Sequence, residues 1–159
     1  EDRRGKALVG NLSIKENVLL SCIDRYAKHG YLDEKKEKQD VSEKAEALKI
    51  RMTGLDQRII ELSGGNQQKA VFAKALMTDP KVFLCDEPTQ AVDIMTRNEI
   101  HKLLREKADA GNAVVYVSSD LKEILEVADT IQLVVQGETR QLLVNENLTT
   151  TEVLSYCYE

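Results

Sequence analysis

Tryptophan is absent from these 159 residues, and aromatic side chains make up only 4% of them. So few rings leave no stacking platform for single-stranded nucleic acid. Positive charge is also in deficit: 22 Lys and Arg stand against 27 Asp and Glu, for a formal net charge of -5. That balance argues against a broad basic surface working on phosphate backbones, so no nucleic-acid partner is expected. Long apolar runs are missing too. None approaches the roughly 20 residues needed to span a bilayer, and the opening EDRRGKALVG has no apolar stretch of the signal-peptide kind. Cysteine is sparse and odd in number. Cys22, Cys85 and Cys157 fit neither a disulfide framework nor a zinc site, which points to a reducing cytosol. The two histidines, His29 and His101, lack metal-ligand spacing and read as surface helix residues. The chain opens on charge and without Met, so it is expected to be part of a longer protein.

What is present is ordinary soluble material, 42% hydrophobic and 31% charged, enough for one domain with a core. Ser13-Ile14-Lys15-Glu16 is a capping-box pattern. Behind it Ile14, Val18, Leu19, Cys22 and Ile23 share one helical face, predicting a helix that runs to about His29-Gly30. The charged stretch 33–49 carries Val41, Ala45 and Leu48 at helical spacing and predicts a surface helix. Leu62-Ser63-Gly64-Gly65 opens a third helix with Val71, Phe72, Ala75 and Leu76 on its apolar face, stopped by Asp79-Pro80. Residues 82–85 then form a short apolar run, read as a buried strand. A helix carrying Ile100, Leu103 and Leu104 ends at Gly111, and residues 113–117 read as a second buried strand. Asp120 caps a helix with Leu121, Ile124, Leu125 and Ala128; residues 131–135 form a third strand, and Gly137 turns it into a hairpin partner over 139–144. Helices thus precede an alternation typical of a parallel α/β sheet. The expected division is a helical subdomain over residues 1–62 and α/β core over 63–159.

Two short segments carry chemistry. Val82-Phe83-Leu84-Cys85-Asp86-Glu87-Pro88 is an apolar strand ending in adjacent carboxylates. Ligands of open α/β sheets sit at strand carboxyl ends, where Asp86 could hold Mg²⁺ and Glu87 could polarise an attacking water. Leu62-Ser63-Gly64-Gly65-Asn66-Gln67-Gln68-Lys69 is the stronger signal. Two glycines at a helix start admit close approach of a ligand, and the free N–H groups and helix dipole favour an anion such as phosphate. Taken by itself, Ser-Gly-Gly reads first as a plain N-cap turn, and an apolar run closed by Asp-Glu reads first as a helix cap or solvated strand end.

Together these segments resemble the nucleotide-binding domains of ABC transporters. LSGGNQQK resembles the ABC signature and VFLCDEP the Walker B motif that follows it, in matching order and spacing. Thr89-Gln90-Ala91-Val92-Asp93 resembles the D-loop, Val117-Ser118-Ser119-Asp120 lies where the switch-histidine loop belongs, and Glu1-Asp2-Arg3-Arg4 lies in the Q-loop region. The NQQK form, the leading EDR and the Ser-Ser of the switch loop are similar to the second nucleotide-binding domain of ribose/galactose-type sugar importers. The resemblance covers essentially the whole chain.

It implies a partial P-loop NTPase fold: a helical signature lobe, then parallel strands with flanking helices, the Walker A strand lacking. In the family that strand lies between the strands corresponding here to 113–117 and 131–135. Two domains pair head to tail with ATP between them. The implied function is part of a sugar importer's ATPase, in which Ser63, Gly64, Gly65, Asn66, Asp93 and Ser119 face nucleotide, Glu87 is catalytic and Asp86 serves Mg²⁺. The implied partners are a second nucleotide-binding domain, transmembrane permease subunits and, indirectly, a periplasmic or extracellular sugar-binding protein. The implied place is peripheral, on the cytoplasmic face of the membrane.

The departures are as informative. No G-x-x-x-x-G-K-[ST] occurs; Gly5-Lys6-Ala7 lacks the upstream glycine and the hydroxyl residue. Ser119 replaces the switch histidine and Glu1 stands near the Q-loop Gln. The site holding Glu87 is therefore expected to be catalytically weak, and the isolated chain inactive. A non-catalytic interaction or regulatory module is the alternative. A DNA-repair type of ABC ATPase fits less well, because no long heptad run appears.

Overall fold

The computed structural model describes residues 7–28 and 30–158. The readings made for Glu1-Asp2-Arg3-Arg4, Gly5-Lys6 and His29 lie outside the described residues. Two compact units are present: the described residues up to Lys81 together with Thr89–Lys102, and Val82–Pro88 together with the chain from Leu103 onward.

The first unit is helical. Its α1 (Ile14–Leu19) starts at the expected capping box: the Ser13 hydroxyl accepts from the Glu16 N–H at 3.2 Å, and Glu16 Oε2 accepts from the Ser13 N–H at 2.8 Å. Hydrogen bonds from the Ser13 hydroxyl, at 2.7 Å, and from its N–H hold the Glu16 carboxyl below its usual range. The predicted continuation to residue 30 is corrected. The helix stops at Leu19, a 3-10 turn covers Ile23–Tyr26, and two-residue strands β1 (Ala27–Lys28) and β2 (Tyr31–Leu32) pair antiparallel. The break turns Tyr26 inward, where its hydroxyl donates to Asp40 at 2.8 Å. Cys22 still reaches the core, but Ile23, expected on the same apolar face, is exposed.

Next, α2 (Glu34–Ala47) is polar except for its face of Val41 and Ala45, both buried. Then α3 (Gly64–Leu76) packs Ala70 and Ala73 into the same cluster as Ile14, Val18, Leu19, Val41 and Ile59. Its buried stripe differs from the expected one: Phe72 and Leu76 are inside, Ala75 is exposed and Val71 is half-buried. The C-terminus of α3 is closed by Arg25, which donates to the carbonyls of Met77 at 2.7 Å and Thr78 at 2.9 Å, a favourable cation at the negative helix end. Fully buried Asn17 staples the loop before α1. Its Oδ1 accepts from the Val9 N–H at 2.8 Å, and Nδ2 donates to the carbonyls of Val9, Leu12 and Ser13. By contact, α3 groups with the helices that precede it in sequence.

The second unit contains β3 (Val82–Asp86) and β4 (Ala113–Val117), paired in parallel with Leu84 opposite Val115 and Asp86 opposite Val117. It also contains β5 (Thr130–Val135) and β6 (Glu138–Val144), an antiparallel hairpin turned at Gly137, φ 84°. Helix α4 (Ile94–Asp109) begins among residues of the first unit and ends among those of the second. Gly111, φ 89°, follows it, as a C-terminal stop requires. Asp120 caps α5 (Leu121–Val127) by accepting from the N–H groups of Lys122 and Glu123, and α6 (Thr150–Tyr158) closes the chain. Ile124, Ile131, Leu133, Leu143 and Val153 form the core here. Among the described residues no pairing joins β4 to β5, in line with the strand vacancy the resemblance implies. Residues 82–85 and 113–117 were expected to be buried strands. Phe83 and Cys85 are buried, but Val82, Leu84, Val115 and Val117 on the opposite face are exposed, because nothing among the described residues covers that face.

Candidate functional site

The signature segment folds as a helix start. Ser63 is the N-cap of α3 with extended backbone, φ -60° and ψ 157°, and its side chain makes no capping bond to the helix amides. The Ser63 hydroxyl is exposed and lies 2.9 Å from Asn66 Nδ2. Asn66 Oδ1 accepts from the Arg51 N–H at 2.9 Å, and the buried Gln67 side chain donates to the Leu62 carbonyl at 2.9 Å. The loop is thus fixed from behind while the first amides of α3 keep no side-chain cap.

Gly65 is fitted against the start of α4. A Cβ there would lie 2.8 Å from Thr96 Oγ1 and 3.2 Å from Asp93 Oδ2. Asp93 caps α4: Oδ1 accepts from the Thr96 N–H and Oδ2 from the Thr96 hydroxyl, both at 2.9 Å. These two bonds hold the Asp93 carboxyl below its ordinary range. One turn further along both helices, Lys69 pairs with Glu99, which Lys49 approaches at 3.8 Å. Lys69 also donates to the Lys49 carbonyl at 3.3 Å. Of the residues singled out from sequence, Ser63, Gly64, Gly65, Asn66 and Asp93 therefore gather in one unit. Thr96, Lys69 and Glu99 lie with them and were not singled out: the Lys69–Glu99 pair joins residues distant in sequence, and the contact of Thr96 with Gly65 does too.

The carboxylates gather in the other unit. Asp86 ends β3, exposed at the carboxyl end of the parallel pair. Glu87 follows with φ 45°, a left-handed backbone that costs a non-glycine residue about 1–3 kcal/mol. Its N–H bonds the Val117 carbonyl at 2.8 Å, and its Oε1 accepts from the Ser119 N–H at 2.8 Å. Ser119 thus meets Glu87 through its main chain. The Ser118 hydroxyl donates to the buried Glu123 at 2.8 Å. Cys85, one residue before Asp86, is a packed core thiol that burial pushes up to about 11.

The family profile described as ABC transporter matches residues 3–90, more than half of the chain. This chain belongs to the ABC transporter family. Among its relatives, the xylose import ATP-binding protein of Paraburkholderia xenovorans strain LB400 is 39% identical over 155 residues, 98% of this chain and 30% of that protein. The ribose import ATP-binding protein of Lactococcus lactis subsp. lactis strain IL1403 is 40% identical over 154 residues, 97% of this chain and 31% of that protein. The chain thus spans about 30% of the length of these curated relatives. Among solved structures, a bacterial ABC transporter cassette in dimeric form superposes with a TM-score of 0.76 at 26% identity, covering 89% of this chain and 60% of the cassette. The same cassette in a post-hydrolysis state, bound to ADP and Pi, gives 0.75 at 27% identity over the same shares. The segment that resembles the ABC signature lies at the start of α3, and the segment that resembles Walker B runs along β3 and just past its end.

The donor set at Asp86 and Glu87 is chemically suited to Mg²⁺. Hard carboxylate oxygens at a strand end suit an ion that keeps waters and substrate phosphates as its other ligands. Among the described residues no group of three His, Cys, Asp or Glu could hold a metal by itself, so phosphate oxygens and water would complete the shell.

Proposed function

We propose that this chain is the signature- and Walker B-bearing part of the ATPase of a sugar importer, and that its main chemical role is to offer the signature to ATP held by a partner nucleotide-binding domain. The observation that carries this reading is the start of α3. An exposed serine hydroxyl and helix amides without a side-chain cap stand together there, on a loop tied down by Asn66 and Gln67. Such a terminus suits a phosphoryl oxygen. The names of the xylose and ribose import relatives support a sugar as the transported solute, and the dimeric cassette supports a paired domain as the partner.

In this reading Ser63 donates to the γ-phosphate, the amides of Gly64 and Gly65 add dipole, and Asp93 with Thr96 holds α4 against the glycine. Glu87 orients water at this domain's own site. Asp86 holds Mg²⁺, which neutralises developing phosphate charge when bound. Ser119 offers Glu87 a backbone N–H in place of an imidazole, so that site lacks a side chain able to sense the γ-phosphate and is catalytically weak. Permease subunits and a sugar-binding protein complete the importer, and the domain works peripherally at the cytoplasmic face. No helix among the described residues is long and apolar enough to cross a membrane.

The test is an asymmetry in the intact transporter. Losing a preorganised phosphate donor costs about 2.7–4 kcal/mol, or 10²–10³ in rate. Ser63→Ala is expected to lower ATP turnover by that much, while Glu87→Gln, acting on the weak site, lowers it by less than about tenfold. Equal losses in the two variants would contradict the reading.

A further inference from the structure

Two helices of this chain begin with a serine at the N-cap, and the residue three positions later differs. At α1 the pair is Ser13 and Glu16. The Ser13 hydroxyl accepts from the Glu16 N–H and lies 2.7 Å from Glu16 Oε2, which can only accept when ionised. The Ser13 proton is thereby spent on the carboxylate. At α3 the pair is Ser63 and Asn66, and the hydroxyl does not cap the helix.

The direction of the Ser63–Asn66 bond follows from the far end of the amide. One amide atom of Asn66 lies 2.9 Å from the Arg51 main-chain nitrogen. A main-chain N–H can only donate, so that atom is Oδ1. The amino group then faces Ser63, at 2.9 Å. An amide nitrogen has protons and no acceptor capacity, so Ser63 Oγ is the acceptor. Its own proton is left over. Among the described residues no acceptor is placed for that proton, and Ser63 is exposed.

We propose that Asn66 is a positioning residue. By filling one lone pair of Ser63 Oγ from behind, its amide makes the hydroxyl a dedicated donor toward an anionic oxygen, the phosphoryl group of a nucleotide. Both ends of the Asn66 side chain are engaged within the protein, so its part is played through Ser63. A carboxylate at the same position would take the serine proton, as Glu16 does at α1, and would repel the anion as well. The proposal rests on the phosphate-facing reading of the signature given above.

A double-mutant cycle in the intact transporter ATPase, with MgATP as substrate, separates the two. Asn66→Ala is expected to lower kcat roughly 3- to 10-fold, the range for one hydrogen bond, with KM for ATP unchanged. In a Ser63→Ala background it is expected to change nothing further, because the group it orients is gone. Asn66→Asp keeps the Oδ1 anchor on Arg51 and reverses only the bond to Ser63, so it is expected to lower kcat at least as far as Asn66→Ala. An equal loss from Asn66→Ala in both backgrounds would overturn the proposal, since Asn66 would then act through the loop rather than through Ser63. Unchanged kcat in Asn66→Asp would overturn it as well. Should Ser63→Ala leave turnover intact, the phosphate-facing reading fails first and the role of Asn66 falls with it.

Discussion

Gly65 is closely fitted against the start of α4. The atom nearest its missing Cβ, Thr96 Oγ1 at 2.8 Å, cannot step aside freely, because Thr96 is buried and its hydroxyl is tied to Asp93 at 2.9 Å. Gly65→Ala is therefore expected to destabilise the protein by about 1–3 kcal/mol, as overpacking does, read as a lower denaturant midpoint. Gly10→Ala is the control, since its Cβ would meet Ile60 only at ordinary contact, 3.5 Å. Equal midpoints for the two variants would contradict the close fit. The Asp93 cap also carries a pH sign. Its carboxyl is depressed in the folded state, so its contribution is present above the ordinary carboxylate range and is lost as pH falls through the folded value. At this scale Ser63, Gly64 and Gly65 could be singled out from the sequence because a helix-start pattern is local, whereas Asp93 was named only through the D-loop resemblance. The Lys69–Glu99 pair and the approach of Thr96 to Gly65 were not legible, because each joins two helix starts that are distant in sequence. Asn17 is hidden for a similar reason: an amide inside a helical pattern looks solvated until the loop before it folds back.

Among the elements, the strands from β3 to β6 and the helices between them fell where periodicity and turn residues put them, including the parallel β3–β4 pair and the hairpin after Gly137. The first helix did not. Apolar spacing at residues 14–23 fits one long helix as well as a short helix plus a 3-10 turn, and only the inward Tyr26 hydroxyl, bonded to Asp40, separates them. Burial was misjudged in the strands for another reason: an apolar run states what a face prefers, not whether a partner is there. Leu84 is 78% exposed, Val134 64% and Leu142 60%, and each sheet among the described residues has only two strands, with both outer edges open. Two-stranded sheets are marginal alone, and open apolar strands pair with other chains. The chain is thus expected to self-associate at micromolar concentration through a second copy, seen as excess mass in light scattering. A clean monomer melting cooperatively above about 65 °C, the upper end for ordinary domains, would contradict this.

For the molecule as a whole, the proposed function divides into two jobs: the signature segment on α3 would serve a nucleotide held elsewhere, and Asp86 and Glu87 at the end of β3 would serve one held at home. The second job needs a Walker A loop, and none occurs in these 159 residues. Family membership and the ATP-binding-cassette fold were legible from LSGGNQQK and VFLCDEP with their spacing; the identity of any solute was not, since both motifs are phosphate-facing in the proposed reading. Asp86 and Glu87 would repel a triphosphate unless Mg²⁺ came with it, and the phosphate loop that supplies most phosphate contacts in the family does not occur in these 159 residues. The direct measurement is therefore calorimetric titration of this chain alone with MgATP. The account predicts no heat of binding at sub-millimolar nucleotide, because a lone signature and a lone carboxylate pair each make half a site. A micromolar dissociation constant would contradict it, by showing that the chain holds ATP without a partner.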